Sequence, residues 1–356
     1  MTVGTSREVA SRGCLWATSR WGACLAWLLI LLGAATARAE EGLAALDRSP
    51  LLDSAVFQRL VSHPHHHIRF AESGAASSNV DADLAGSGPW FIEAQRYGAD
   101  LVEAGLVCGS PETAALGWRV IDWGFDRQAA DGGFAGTGDP FHSTSFFVES
   151  VARALLLTED VTPSDAVAKR EHYAPKLAAA AAWMRRDDVL RRGLANNTPY
   201  THRRWLVAAA WGLTARVTHD EPLAHAAAES ARAGLALQRS DGVNPEKNGF
   251  DVSYQALGLL MAERYLMVCD DPELRRAIEG MLDRGIAWEL TKIRDDGSVD
   301  TGGSTRVTTE TGRSGAAKTV DNKAIVLALT YAGRQLGRDD CLQAATTVAR
   351  HLRWIK

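Results

Sequence analysis

An Asp-Gly join recurs along the chain, as Gln128-Ala129-Ala130-Asp131-Gly132-Gly133-Phe134, Gln238-Arg239-Ser240-Asp241-Gly242-Val243 and Arg294-Asp295-Asp296-Gly297-Ser298-Val299. Each copy closes an amphipathic stretch and opens a polar loop, and Gly suits the end of a helix. Their positions fit a period of about 55 residues, with Asn196-Asn197 standing in the register that lacks an Asp-Gly pair. A repeat of that length implies helical hairpins, none of which buries its apolar face alone.

Two kinds of helix alternate between the joins. Residues 172–192 and 222–239 are amphipathic, with Arg185, Arg186, Asp187, Glu229 and Arg232 on the polar side, and are expected to face solvent. Trp205–Ala215, Ala256–Met261 and Ala324–Ala332 are apolar nearly all round and require burial on every side. Alternating β-branched strands closed by tight turns are absent. The expectation is an all-α chain in which about five to six hairpins close into an incomplete (α/α) toroid over residues 90–356. An open solenoid would need polar caps at both ends, and the sequence shows none.

Ahead of that domain, residues 40–89 read as an irregular arm containing His63-Pro64-His65-His66-His67, taken as an exposed polar loop because no spaced Cys or carboxylate accompanies it. Residues 1–39 read as a signal peptide. Arg7, Arg12 and Arg20 precede the apolar run Ala23–Leu32, and Ala37-Arg38-Ala39 provides a cleavage site. The expected location is periplasmic or secreted, with no membrane span after cleavage, since no later stretch reaches the roughly 20 apolar residues needed. The whole chain carries a net charge of −4, and losing a leader with four arginines and one glutamate makes it more acidic. That excludes a nucleic-acid footprint. Cys108, Cys269 and Cys341 are too few and too far apart for a disulfide framework or a zinc motif.

In a toroid the loops running from outer to inner helices gather at one end. Four such loops hold the least ordinary residues. The first ends in Asp139-Pro140-Phe141-His142; the second is Asn196-Asn197-Thr198-Pro199-Tyr200-Thr201-His202-Arg203-Arg204, with Thr198 read as a cap and Pro199 as the first helical residue. The third runs Asn244 to Gln255 and includes Tyr254; the fourth, Asp300–Thr319, is Gly/Thr-rich with Arg306, Glu310, Arg313 and Lys318. Four successive helix starts combining His, Tyr, Asn and Arg are expected to line one polar cleft. Asn196, Arg203, Arg204, Arg306, Arg313 and Lys318 would bind substrate, the last three adding positive charge for an anionic ligand. Phosphate-binding glycine motifs, a Ser nucleophile elbow and a His-Glu-x-x-His helix are missing, and no metal or cofactor is expected.

The paired Asn196-Asn197 before an inner helix, followed by the Tyr-bearing start Asp251–Tyr254, resembles the toroidal polysaccharide lyases of the alginate-lyase and chondroitin-AC-lyase group. The resemblance implies β-elimination on a uronic-acid polysaccharide, with Asn197 binding the carboxyl and Tyr254 exchanging protons. Members of the alginate-lyase type place His directly after the Asn pair. Here Thr198 follows, so His202 or His142 takes that role. The Asp-Gly joins also resemble those of toroidal glycosidases. One alternative is therefore a hydrolase using two carboxylates among Asp131, Asp139, Glu246, Asp251 and Glu310; another is a non-catalytic glycan-binding or export protein.

Overall fold

The computed structural model describes residues 42, 43, 46, 68–134, 138–312 and 315–355. The leader, the histidine cluster and Arg313 lie outside the described residues. The chain is all-α: twelve α-helices and one short 3-10 helix are present among the described residues, and β-structure there is limited to isolated bridges.

In chain order the helices are α1 (Asn79–Ala85), α2 (Tyr97–Cys108), α3 (Pro111–Phe125), α4 (Pro140–Val161), α5 (Pro163–Met184), α6 (Asp187–Asn197), α7 (Thr201–Thr218), α8 (Glu221–Leu235), α9 (Val252–Leu266), α10 (Pro272–Leu290), α11 (Asn322–Gln335) and α12 (Asp339–His351). The 3-10 helix Ile92–Arg96 leads into α2. Burial separates two sets. α7, α9 and α11 bury nearly all of Trp205–Ala215, Ala256–Met261 and Ala324–Ala332, whereas α5, α8, α10 and α12 bury single stripes such as Leu223, Ala227, Ser230, Ala231 and Gly234 of α8. The inner helices are neighbours in the order α2, α4, α7, α9, α11, and each packs against the outer helix that follows it. Lys323 at the start of α11 reaches Asp100 of α2 at 2.5 Å, joining the last inner helix to the first.

The Asp-Gly joins are one turn repeated. Gly132 N–H donates to Ala129 O and Ala129 N–H to Gly133 O; Arg239, Gly242 and Val243 repeat the pattern, as do Arg294, Gly297 and Ser298. The aspartate stabilises each turn by accepting the N–H two residues on, at Gly133, Val243 and Ser298. The glycines have φ of 83–88°, and a Cβ on Gly132, Gly242 or Gly297 would collide with the carbonyl oxygen of Ala179, Arg284 or Thr347 on the next outer helix. Gly is thus required both by the left-handed backbone and by the close approach. Gly242→Ala is expected to cost roughly 2 kcal/mol or more. Gly280→Ala, inside α10 where a Cβ would meet only the Arg284 side chain at 3.6 Å, should instead add ~0.5–1 kcal/mol. Urea denaturation of the two variants tests the contrast, and a shift of the same sign in both would contradict it.

Three expectations change. The outer segment 172–192 is not one helix: α5 stops at Met184 and α6 starts at Asp187, so Asn196-Asn197 ends an additional short helix instead of the outer one. α7 begins at Thr201, so Pro199 precedes it, and Thr198 Oγ donates to Leu194 O of α6 in place of capping α7. The last part of the arm is ordered. Residues 71–75 make the same turn, with Ser73 in the aspartate's place and Gly74 at φ 98° packed on the Arg119 carbonyl of α3, and α1 follows. Cys108 is exposed, and Cys269 and Cys341 are buried.

Candidate functional site

The four outer-to-inner loops meet at the starts of α4, α7, α9 and α11. The second and third are knitted together by Thr201 Oγ and N–H, both donating to Pro245 O, and by Lys247 N–H donating to Pro199 O. Glu246 heads a tight turn in which Lys247 and Asn248 take φ of 49° and 69°. That left-handed pair is uncommon outside glycine, and here it delivers the buried Glu246 carboxylate to α7. Glu246 Oε1 accepts from the His202 backbone N–H at 3.1 Å and lies 2.7 Å from His202 Nδ1. With the carboxylate as acceptor, the imidazole proton sits on Nδ1 and Nε2 keeps its lone pair.

The third and fourth loops meet through Asp251. Its Oδ1 accepts Ser253 and Tyr254 N–H, capping α9, and its Oδ2 accepts Arg306 and Val307 N–H at 2.9 and 2.7 Å. One buried carboxylate thus anchors the helix carrying Tyr254 and the loop carrying Arg306. The Arg306 guanidinium stands 3.6 Å above the Tyr254 ring centroid and 4.8 Å from that of Tyr200. His202 packs against Tyr254 at 4.7 Å between centroids, and His142 approaches His202 at 6.1 Å. Glu310 gathers Lys247, Lys318 at 2.5 Å and Arg306 at 3.1 Å, and Lys318 also lies 5.4 Å from the Tyr254 ring.

The structure therefore brings together His142, Asn197, His202, Arg203, Tyr254, Arg306 and Lys318. Asn197 is buried and its Oδ1 accepts from Arg203, which also pairs with Asp139 at 2.9 Å and stacks on Tyr200. Asn196 is exposed at the end of α6, and Arg204 makes no ion pair among the described residues. Glu246, which orients His202, was legible only as a possible hydrolytic carboxylate; Tyr200, between Arg203 and Arg306, carried no separate signal. Among the described residues several buried polar atoms of the cluster make no hydrogen bond: Asn197 Nδ2, Arg203 Nε, His142 Nδ1 and Arg306 Nη1, the last lying 3.5 Å from Glu246 Oε2 as an ion pair. Such atoms are few in folded proteins, and their gathering here makes this cluster the candidate site.

Electrostatics separate the titratable groups. Burial pushes His202 below the ordinary histidine value, against the pull of Glu246 and with help from Arg306 and Arg203. Burial pushes His142 much further down, reinforced by Arg203 and His202. Burial works against ionisation of Glu310, but hydrogen bonds from Lys247, Lys318 and Arg306 prevail and hold it at about 2. Both imidazoles are then neutral at pH 7 and Glu310 is a fixed anion. Because their folded values lie below the unfolded one, the histidines contribute stability above pH 6.5 that is lost as pH falls through the folded values. An NMR titration of His202, assigned with His202→Asn, should show a midpoint below 6.5. A midpoint above it would mean that Glu246 outweighs burial.

No protein-family model and no curated protein matches this sequence. Among the described residues no helix is long and apolar enough to cross a membrane, and no group of three or more His, Cys, Asp or Glu side chains is placed to hold a metal ion.

Proposed function

We propose that the chain is an incomplete (α/α) toroid acting as a polysaccharide lyase, periplasmic or secreted, that cleaves an anionic, uronic-acid-containing polysaccharide by β-elimination. The toroid reading rests on the serial packing of α2, α4, α7, α9 and α11 and on the Lys323–Asp100 link between the last and the first. The observation that carries the chemistry is Tyr254 held between the neutral His202 and the Arg306 guanidinium.

Elimination removes the proton α to the uronate carboxyl, forms the C4–C5 double bond, and breaks the bond from C4 to the bridging oxygen, which takes up a proton. Tyr254, whose phenolic proton passes to His202, removes the proton from C5 as a base and then delivers it as an acid to the leaving oxygen, and His202 returns the phenolic proton. His202, with Nε2 as its free acceptor, takes part in the proton exchange beside it. Asn197, with an unpaired Nδ2, and Arg306 stabilise the negative charge that develops on the carboxyl.

Hydrolysis by two carboxylates fits less well, because it needs one of them protonated. Glu310 is held ionised by three cations, Asp139 pairs with Arg203, Glu246 pairs with His202 and Arg306, Asp251 accepts four backbone N–H groups, and Asp131 lies on the surface with Arg186. The test is to incubate the purified protein with a panel of polyuronates and follow ultraviolet absorbance and reducing ends together. Absorbance from an unsaturated uronate supports the reading. New reducing ends without absorbance, or neither signal, overturns it in favour of hydrolysis or of binding alone.

A further inference from the structure

Directly inside the cluster, the inner helices surround a cavity of about 480 Å³, a size in the range of small-molecule sites. It reaches from Arg96, Tyr97 and Phe146 near the cluster to Glu149, Arg153 and Arg264 at its far side. It adjoins the proposed site through aromatic contacts: Phe146 packs on His142 at 4.9 Å and under the Arg96 guanidinium at 5.0 Å.

Charge in the cavity is matched group by group except at Arg96 and at Asp321, whose Oδ1 caps α11 by accepting the Ala324 N–H at 3.0 Å. Arg153 pairs with Asp100, Glu103 and Glu149; Arg264 pairs with Glu149; Lys323 pairs with Asp100. Arg96 makes no ion pair among the described residues. It donates to the Glu93 backbone carbonyl at 2.9 Å and to the Tyr97 hydroxyl at 3.1 Å, and lies against the Tyr97 and Phe146 rings. A guanidinium has five N–H donors in a planar fork, so those two bonds position it while leaving donors free. The carboxylates of Glu93, Asp100 and Asp321 act on it only from beyond salt-bridge range, and Glu93 is already occupied by Ser143 Oγ at 2.9 Å. Aromatic faces on two sides and a backbone anchor make a fixed fork, suited to a planar carboxylate.

We infer that this cavity is an anion subsite in which Arg96, with the Tyr97 hydroxyl, receives the carboxylate of a second uronate, one sugar away from the unit at Tyr254. The inference rests on the lyase reading for the identity of the sugar, but the carboxylate site itself does not. Arg96 is accordingly a specificity-determining residue: it selects a uronate over a neutral sugar in the neighbouring position and takes no part in proton transfer. Asn322, also lining the cavity, is available to a ring hydroxyl.

Isothermal titration of the full chain with glucuronate and with its uncharged methyl ester tests this. The wild type is expected to bind glucuronate and to bind the ester at least tenfold more weakly. Arg96→Gln should weaken glucuronate binding by roughly 10- to 100-fold, as expected for losing hydrogen bonds to a charged group. Asn322→Asp, which adds a negative charge at a side chain that makes no hydrogen bond among the described residues, should weaken it as well and serves if Arg96→Gln fails to fold. Equal binding of acid and ester, no binding of either, or unchanged glucuronate affinity in a folded Arg96→Gln or Asn322→Asp overturns the inference. Failure of the lyase reading shows separately, as absent ultraviolet product from a wild type that still binds glucuronate through Arg96.

Discussion

Tyr254→Phe is expected to lower turnover on a polyuronate by 10²- to 10⁴-fold, the range for a lost acid–base group, while leaving the fold intact. The contrast follows from what the side chain touches. Its ring carries the contacts that organise the cluster, with Arg306 above it and His202 beside it, and Phe keeps that ring. The hydroxyl makes no hydrogen bond among the described residues, so removing it orphans no buried partner. Single-turnover rate and melting temperature are measured on the same preparation. A Tyr254→Phe protein that turns over at the wild-type rate would refute the proton-transfer role. A proportional fall in stability and activity would mean that the residue only packs.

The same residues show how far a sequence of this kind can be read. The period of the Asp-Gly joins led to the repeat because the turn is local: an aspartate bonding two residues ahead and a glycine at positive φ are written in adjacent letters. The turn at Gly74 uses Ser73 for the same bond, and that one substitution hid an ordered turn in a stretch read as an irregular arm. The break at Arg185 was hidden for another reason. The Ala-rich stretch before it and the amphipathic stretch after it both carry a helical pattern, so the sequence shows no stop where α5 ends and α6 begins.

The site divides along the same line. That His142, His202 and Tyr254 would meet followed from topology, since each opens an inner helix. The group that orients His202 did not, because Glu246 lies 44 residues away and reaches it through a strained turn. Arg96 was invisible for a similar reason: it sits in a short 3-10 turn, and its importance lies in having no ion partner among the described residues where every other cavity cation has one.

The far side of that cavity leads to the largest expected loss of stability. Arg153→Met is expected to destabilise the protein by about 3–5 kcal/mol at pH 7, the usual result of removing one member of a buried ion network. Arg153 is 2% exposed and serves carboxylates from two inner helices, Asp100 and Glu103 of α2 and Glu149 of α4. Asp100 keeps Lys323 and Glu149 keeps Arg264, but Glu103 loses its only ion partner among the described residues. Burial already pushes Glu149 above the ordinary glutamate value, with Arg264 opposing it, so less positive charge nearby pushes it further. A carboxylate with a raised folded value contributes fully below the unfolded value of about 4.5 and loses that contribution as pH rises. The deficit of Arg153→Met should therefore shrink as pH falls from 7 toward 5, and Glu103→Leu in the same chain should recover part of it by removing the orphaned charge. Urea denaturation of both variants at the two pH values decides the matter. A deficit independent of pH, or strictly additive losses in the double variant, would show that Arg153 stabilises by packing its aliphatic stem and not through its charge.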